Sequence, residues 1–291
     1  MKNHYLVPLD GSPLGEHALP WARALSHRTG RPVELIRCYE SLANLYMLPE
    51  FASPGVTSLD EGAVTEQLDE YLAEQARKFP ADKVATARYE GDPASVILER
   101  GKLSEVEAVV MASHGRGGLG RWLLGSVATK VVRGSQFPVL VVNASAQVDE
   151  NPSPKRILVP LDGSRVAEVA LEEGAKLARI FDAELLIYQG ITFTPIGHPH
   201  LDAAVALELQ NAREYLEELK TRFPDINVRV EAKIAGVSTG ILEKAADCDL
   251  VVMSSHGRSG VKRWLLGSVA ERILQEIDKP LMVVYGGGAE D

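Results

Sequence analysis

Two stretches of this 291-residue chain combine the residue types that hold an anion: residues 113–128, SHGRGGLGRWLLGSVA, and residues 255–270, SHGRSGVKRWLLGSVA. Of their 16 positions, 13 are identical. Both keep a histidine (His114, His256), an arginine (Arg116, Arg258), loop glycines (Gly115 and Gly118, Gly257 and Gly260) and a Gly-Ser pair (Gly125 with Ser126, Gly267 with Ser268). Glycine lets a backbone approach a ligand closely. A glycine-bearing loop that opens a helix aims backbone N–H groups and the helix dipole at an anion. Arginine adds charge, and a serine at the helix start either caps it or offers its hydroxyl to a phosphate. Trp122, Leu123, Leu124 and their copies read as packing.

The elements that must position these loops follow from periodicity. Each loop is preceded by an apolar run, 107–112 (EAVVMA) and 249–254 (DLVVMS), that reads as a buried strand, and followed by a helical pattern over 127–133 and 269–277. A second landmark also repeats, YLVPLDGS at 5–12 and ILVPLDGS at 157–164. The two landmarks are offset by 152 and 142 residues, so the first half is ten residues longer between them. The extra length is placed after Tyr39 and around 101–105, where insertion costs least. The first half reads as strands 5–9, 33–39, 83–89, 107–112 and 138–143, with helices over 13–29, 63–79, 93–100 and 127–133. The second reads as strands 157–161, 184–188, 227–234, 249–254 and 281–285, with helices over 165–181, 202–223, 239–246 and 269–277. Domains are expected at 1–144 and 155–288, joined by the polar, proline-containing linker 145–154. Near-continuous apolar strands alternating with helices predict an α/β fold of two tandem doubly wound domains, mostly parallel sheets covered by helices on both faces. The ligand crevice of such a sheet lies at the strand C-termini where strand order reverses. Asp10, Asp162 and both SHGR loops stand at strand C-termini.

Composition excludes several classes. Apolar residues make up 45% and charged residues 24%, a soluble globular balance, and the net charge of −9 argues against nucleic-acid or anionic-membrane partners. Two cysteines at non-equivalent places, Cys38 and Cys248, predict no structural disulfide and a cytoplasmic, reducing setting. The chain reaches Asp10 after a short apolar run, so no signal peptide is expected, and it lacks the ~18 uncharged apolar residues of a membrane span. By letter, Gly115 to Gly120 spells a G-x-G-x-x-G fingerprint, but the second copy has Ser259 and Lys262 at two of its glycine positions. The acid expected after the next strand is also missing. No Walker loop, C-x-x-C, H-E-x-x-H or G-x-S-x-G occurs. Nothing pairs His114 or His256 with a nucleophile or an orienting carboxylate, so no catalytic residue is assigned. D-G-S is also ordinary turn chemistry, and either aspartate could simply cap a helix.

An Asp closing strand one, with a small residue, two residues, Gly, nine residues and Gly-Ser after strand four, resembles the universal stress protein family over nearly the whole chain. The resemblance implies a five-stranded sheet of order 3-2-1-4-5 in each half, an adenine nucleotide alpha hydrolase-like relative of the Rossmann fold. It also implies ATP held with Mg²⁺ or Mn²⁺ bound through the phosphates and with no metal ligand from the protein. Two such domains would pair through their last strands within the chain, with room for a further homodimer. Carried over, Pro8, Leu9 and Asp10 line the adenosine side, with backbone near Cys38 at the base edge. His114, Gly115, Arg116, Gly118, Gly125, Ser126 and Val127 surround the phosphates. The second half offers Pro160, Leu161, Asp162, Tyr188, His256, Gly257, Arg258, Gly260, Gly267, Ser268 and Val269. Ala112 and Ser254 stand where the family motif has its first glycine, a departure that ranks the first site above the second. The function implied is a cytoplasmic, nucleotide-dependent stress-response regulator with at most weak ATPase activity. The alternatives are a slow ATP hydrolase and a nucleotide-free interaction module. The apolar loop 41–62 is expected to act as a lid or partner surface.

Overall fold

The computed structural model describes residues 3–40, 61–103, 105–113, 124–143, 149–192, 201–256 and 266–286. In the first half the strands are β1 His4–Pro8, β2 Val33–Tyr39, β3 Val84–Glu90, β4 Val106–Ala112 and β5 Val139–Val142. The second half contributes β6 Arg156–Pro160, β7 Glu184–Ile191, β8 Val228–Ile234, β9 Leu250–Ser254 and β10 Leu281–Val284. The helices of the first half are α1 Ala18–Thr29, α2 Glu61–Ala76, α3 Pro93–Gly101 and α4 Ser126–Gly134. Those of the second are α5 Arg165–Phe181, α6 Leu201–Lys220, α7 Val237–Ala245 and α8 Ser268–Glu276.

All ten strands form one sheet, β3-β2-β1-β4-β5-β10-β9-β6-β7-β8. Each half is thus a parallel 3-2-1-4-5 sheet, and the two join through their last strands. That seam is antiparallel, pairing Val139 with Val283, Leu140 with Met282 and Val141 with Leu281. Central strands bury both faces because helices lie on both. Tyr5, Val7 and Leu9 pack with Leu19 and Leu25 of α1. Leu6 and Ile36 pack on the opposite face with Ile97 of α3 and Val131 of α4. Across the seam Trp21 meets Phe181 edge-on at 6.1 Å, and Glu107 of β4 accepts ion pairs from Arg31 and from Lys176 of α5.

The strand registers locate the length difference. The offset between equivalent residues falls from 152 to 144 between the second and third strands, and to 142 by the fourth. Helix 165–181 forms as expected, with Ser164 capping it by accepting from the Ala167 amide. Helix 13–29 instead begins as a 3₁₀ turn, Gly15–His17, and becomes α-helical only at Ala18. Pro20 has no N–H to return to Glu16, so the regular helix starts where proline falls in its first turn.

Candidate functional site

Strand order reverses between β1 and β4, which pair Tyr5 with Ala108 and Leu6 with Val109. The connections leaving them run to opposite faces and leave a crevice above their C-termini. β6 and β9 repeat this, with Ile157 opposite Leu250.

One wall is the D-G-S turn. Gly11 and Gly163 have φ of 78° and 81°, a left-handed backbone that favours glycine. Asp10 Oδ1 accepts from the Ser12 amide at 3.0 Å and hydroxyl at 2.7 Å, and Ser12 Oγ accepts from the Gly15 amide at 3.0 Å. The second half repeats the relay through Asp162, Ser164 and Ala167 at 3.0, 2.6 and 3.3 Å. In the second half the serine, not the aspartate, caps the helix, whereas the first half has no side-chain cap at its 3₁₀ turn or at α1; in both, the aspartate holds the serine.

The other wall is the end of the repeated loop. The Gly125 amide donates to Ser113 O at 2.8 Å and the Gly267 amide to Ser255 O at 2.9 Å, so each loop returns to its strand exit. The glycines themselves are the N-caps, and Ser126 and Ser268 are the first helical residues. Of the two roles open to the serines, capping is thus excluded, because the N-cap lies one residue earlier and has no side-chain hydrogen bond. Each serine instead presents its amide and hydroxyl in the first turn, where N–H groups have no intrahelical acceptor.

In the second half these walls enclose a cavity of about 240 Å³. It gathers Pro160, Leu161, Asp162, Ser254, His256, Gly267, Ser268 and Val269, all expected from the sequence. Its apolar side, Val237 and Ile241 of α7 with Met253 of β9, was not expected, because such residues read as ordinary core. Ser254 Oγ accepts from the His256 amide at 3.3 Å, so the added hydroxyl holds the base of the loop. His256 Nδ1 bonds Ser255 Oγ at 2.9 Å, while its Nε2 is buried without a partner among the described residues.

Tyr188 is not the register counterpart of Cys38. Pro160 pairs with Tyr188 as Pro8 pairs with Ile36, so the counterpart of Cys38 is Gly190, two residues on. The Tyr188 ring is fully buried beneath α7, with its hydroxyl against Gly240. In the first half Pro8, Leu9, Asp10, Ala112, Gly125, Ser126 and Val127 occupy the equivalent ends of β1, β4 and α4. Cys38 sits beside them on β2, its thiol pushed up to about 11, first by burial and then by Asp92. A thiol held neutral is a poor nucleophile. His114, Gly115, Arg116, Gly118, Gly257, Arg258, Gly260 and nearly all of the 41–62 loop lie outside the described residues. Among the described residues no three His, Cys, Asp or Glu side chains group to hold a metal ion, and no helix is long and apolar enough to cross a membrane.

The chain matches the universal stress protein family twice, over residues 1–143 and 154–285. It is 30% identical over 285 residues to universal stress protein Rv2005c of Mycobacterium tuberculosis, covering 96% of this chain and 95% of that protein. Over 292 residues it is 27% identical to a universal stress protein of Mycolicibacterium smegmatis, with 96% of each covered. The crystal structure of a universal stress protein from Archaeoglobus fulgidus shares the fold at 22% identity, with a TM-score of 0.67 over 99% of this chain and 100% of that one.

Proposed function

The chain belongs to the universal stress protein family, and from that premise we propose that it binds ATP at the crevices of its two halves, 1–144 and 155–288. The observation that carries this reading is the second-half cavity, where the end of β6 faces the first turn of α8. The apolar side formed by Val237, Ile241 and Met253 suits the flat face of a purine, next to Pro160 and Leu161. Asp162 stands where a carboxylate can accept from ribose hydroxyls. The amides of Ser268 and Val269, with the Ser268 hydroxyl, suit phosphate oxygens at a helix N-terminus. Arg258, and Arg116 in the first half, would add charge. Mg²⁺ or Mn²⁺ would be held through the phosphates, which need no ligand cluster from the protein.

In this reading the protein is a cytoplasmic, nucleotide-dependent regulator of the stress response. Occupancy is communicated through the continuous sheet, and no side-chain set for hydrolysis is assigned. The test is nucleotide content. Protein purified without added ligand is heat-denatured, and the released nucleotide is quantified per chain. One or two ATP per chain supports the reading. No nucleotide, followed by no binding on titration with ATP and Mg²⁺, overturns it.

A further inference from the structure

Helices α4 and α8 begin at the two crevices and meet across the seam. Arg133, in the last turn of α4, forms an ion pair with Glu271, in the first turn of α8. The Glu271 amide donates to Gly267 O at 2.8 Å, so its carboxylate is rooted one turn from the Gly267 and Ser268 end of the cavity.

The halves differ at this point. Aligned on their first serines, α4 reads SVATKVVRG and α8 reads SVAERILQE. Thr129 therefore stands opposite Glu271, and Gln275 opposite Arg133. The helix at the first crevice starts without an acid; the helix at the second starts with one, and the cation that offsets it comes from the other half.

An acid in the first turn stabilises an empty helix through the same dipole that attracts a phosphate. Once an anion docks there, two like charges share one helix end, and their repulsion opposes binding. His256, which lines the same cavity, has a buried Nε2 without a partner among the described residues, a second sign that a polar ligand group belongs there.

We propose that Arg133 is a positioning residue for the second crevice: it neutralises Glu271 across the seam and so permits phosphate binding at α8. The affinity of the second crevice then depends on the packing of the two halves, while that of the first does not. This inference rests on the nucleotide reading of the crevices.

The test is a double-mutant cycle in the full chain, with Asp10→Ala as common background to weaken the first crevice. Binding of ATP with Mg²⁺ is measured by calorimetry for the background alone and with Arg133→Gln, Glu271→Gln, and both. Arg133→Gln is expected to weaken binding about two- to fivefold, the worth of one charge at a helix terminus. Glu271→Gln is expected to hold or raise affinity and, in the double variant, to rescue Arg133→Gln. The difference should shrink between about 0.05 M and about 0.5 M salt. A purely structural pair predicts that both single variants weaken binding alike, without rescue; that result overturns the proposal, as does an unchanged affinity in Arg133→Gln. Absence of ATP binding in the background and in the unsubstituted chain overturns the nucleotide reading and this proposal together.

Discussion

Gly267→Ala separates what the fold needs from what a ligand needs. Gly267 has φ −60° and ψ 146°, a conformation open to any residue. An added Cβ would lie 3.5 Å from Ser255 O and 3.8 Å from His256 Cα, ordinary contact distances. The fold therefore asks little here beyond the N-cap preference for glycine over alanine, about 1 kcal/mol at most. That corresponds to a fall in Tm of roughly 2–4 °C for a unit of this size. Gly101→Ala is the contrasting case, since its Cβ would lie 2.2–2.7 Å from three atoms of the Phe137 ring. Overpacking of that kind costs about 1–3 kcal/mol. At Gly267 the added methyl enters the wall of the cavity. In the proposed complex a phosphate oxygen would sit about 2.9 Å from the Ser268 amide and be crowded by that methyl. Calorimetric titration with ATP and Mg²⁺ should show at least about a tenfold loss at the second crevice, equivalent to about 1.4 kcal/mol, with Tm lowered by no more than roughly 2–4 °C. An unchanged affinity would refute the reasoning. So would a loss that merely tracks unfolding, because the glycine would then serve the backbone.

Tyr188→Phe removes a buried hydroxyl that has no partner among the described residues and should raise stability by about 1 kcal/mol in denaturant unfolding. Gly240→Ala, whose Cβ would lie 2.4 Å from that hydroxyl, should destabilise the chain and do so less when combined with Tyr188→Phe. Glu34 is held down to about 2 by a hydrogen bond from His4 and by the Arg100 charge, against burial that pushes it up. A carboxyl lowered from 4.5 to about 2 contributes about 3 kcal/mol. That stability is complete above its unfolded value and is lost as pH falls through the interval between the two. Glu34→Gln should flatten this part of the stability profile, and a profile of unchanged slope would count against the network.

The strand cores and the helix over Arg165–Phe181 were readable because their signals are local: apolar spacing, a Ser164 cap and a stop at Asp182, whose φ is 54°. What escaped depends on pairing. The apolar run of β7 fades after Tyr188, yet Gln189, Gly190 and Ile191 continue the ladder against Ala232, Lys233 and Ile234. That extension makes Gly190, not Tyr188, the counterpart of Cys38. The register also sets Tyr188 in the place that Ile36 takes in the first half, with Gly240 lying against its hydroxyl, a substitution that no single stretch of sequence reveals. Val237, Ile241 and Met253 share the composition of any core, so only the fold distinguishes wall from interior. The Asp10 and Asp162 turns and the Gly-Ser helix starts were legible because the chain writes each of them twice.

The most direct test of the central claim is a crystal structure grown with ATP and Mn²⁺, using the anomalous signal of the metal to mark the phosphates. The account predicts a purine against Val237 and Ile241, phosphates on the Ser268 and Val269 amides, and manganese bonded to phosphate oxygens without a cluster of protein ligands. Both crevices empty at saturating nucleotide, or nucleotide bound elsewhere on the chain, would contradict it.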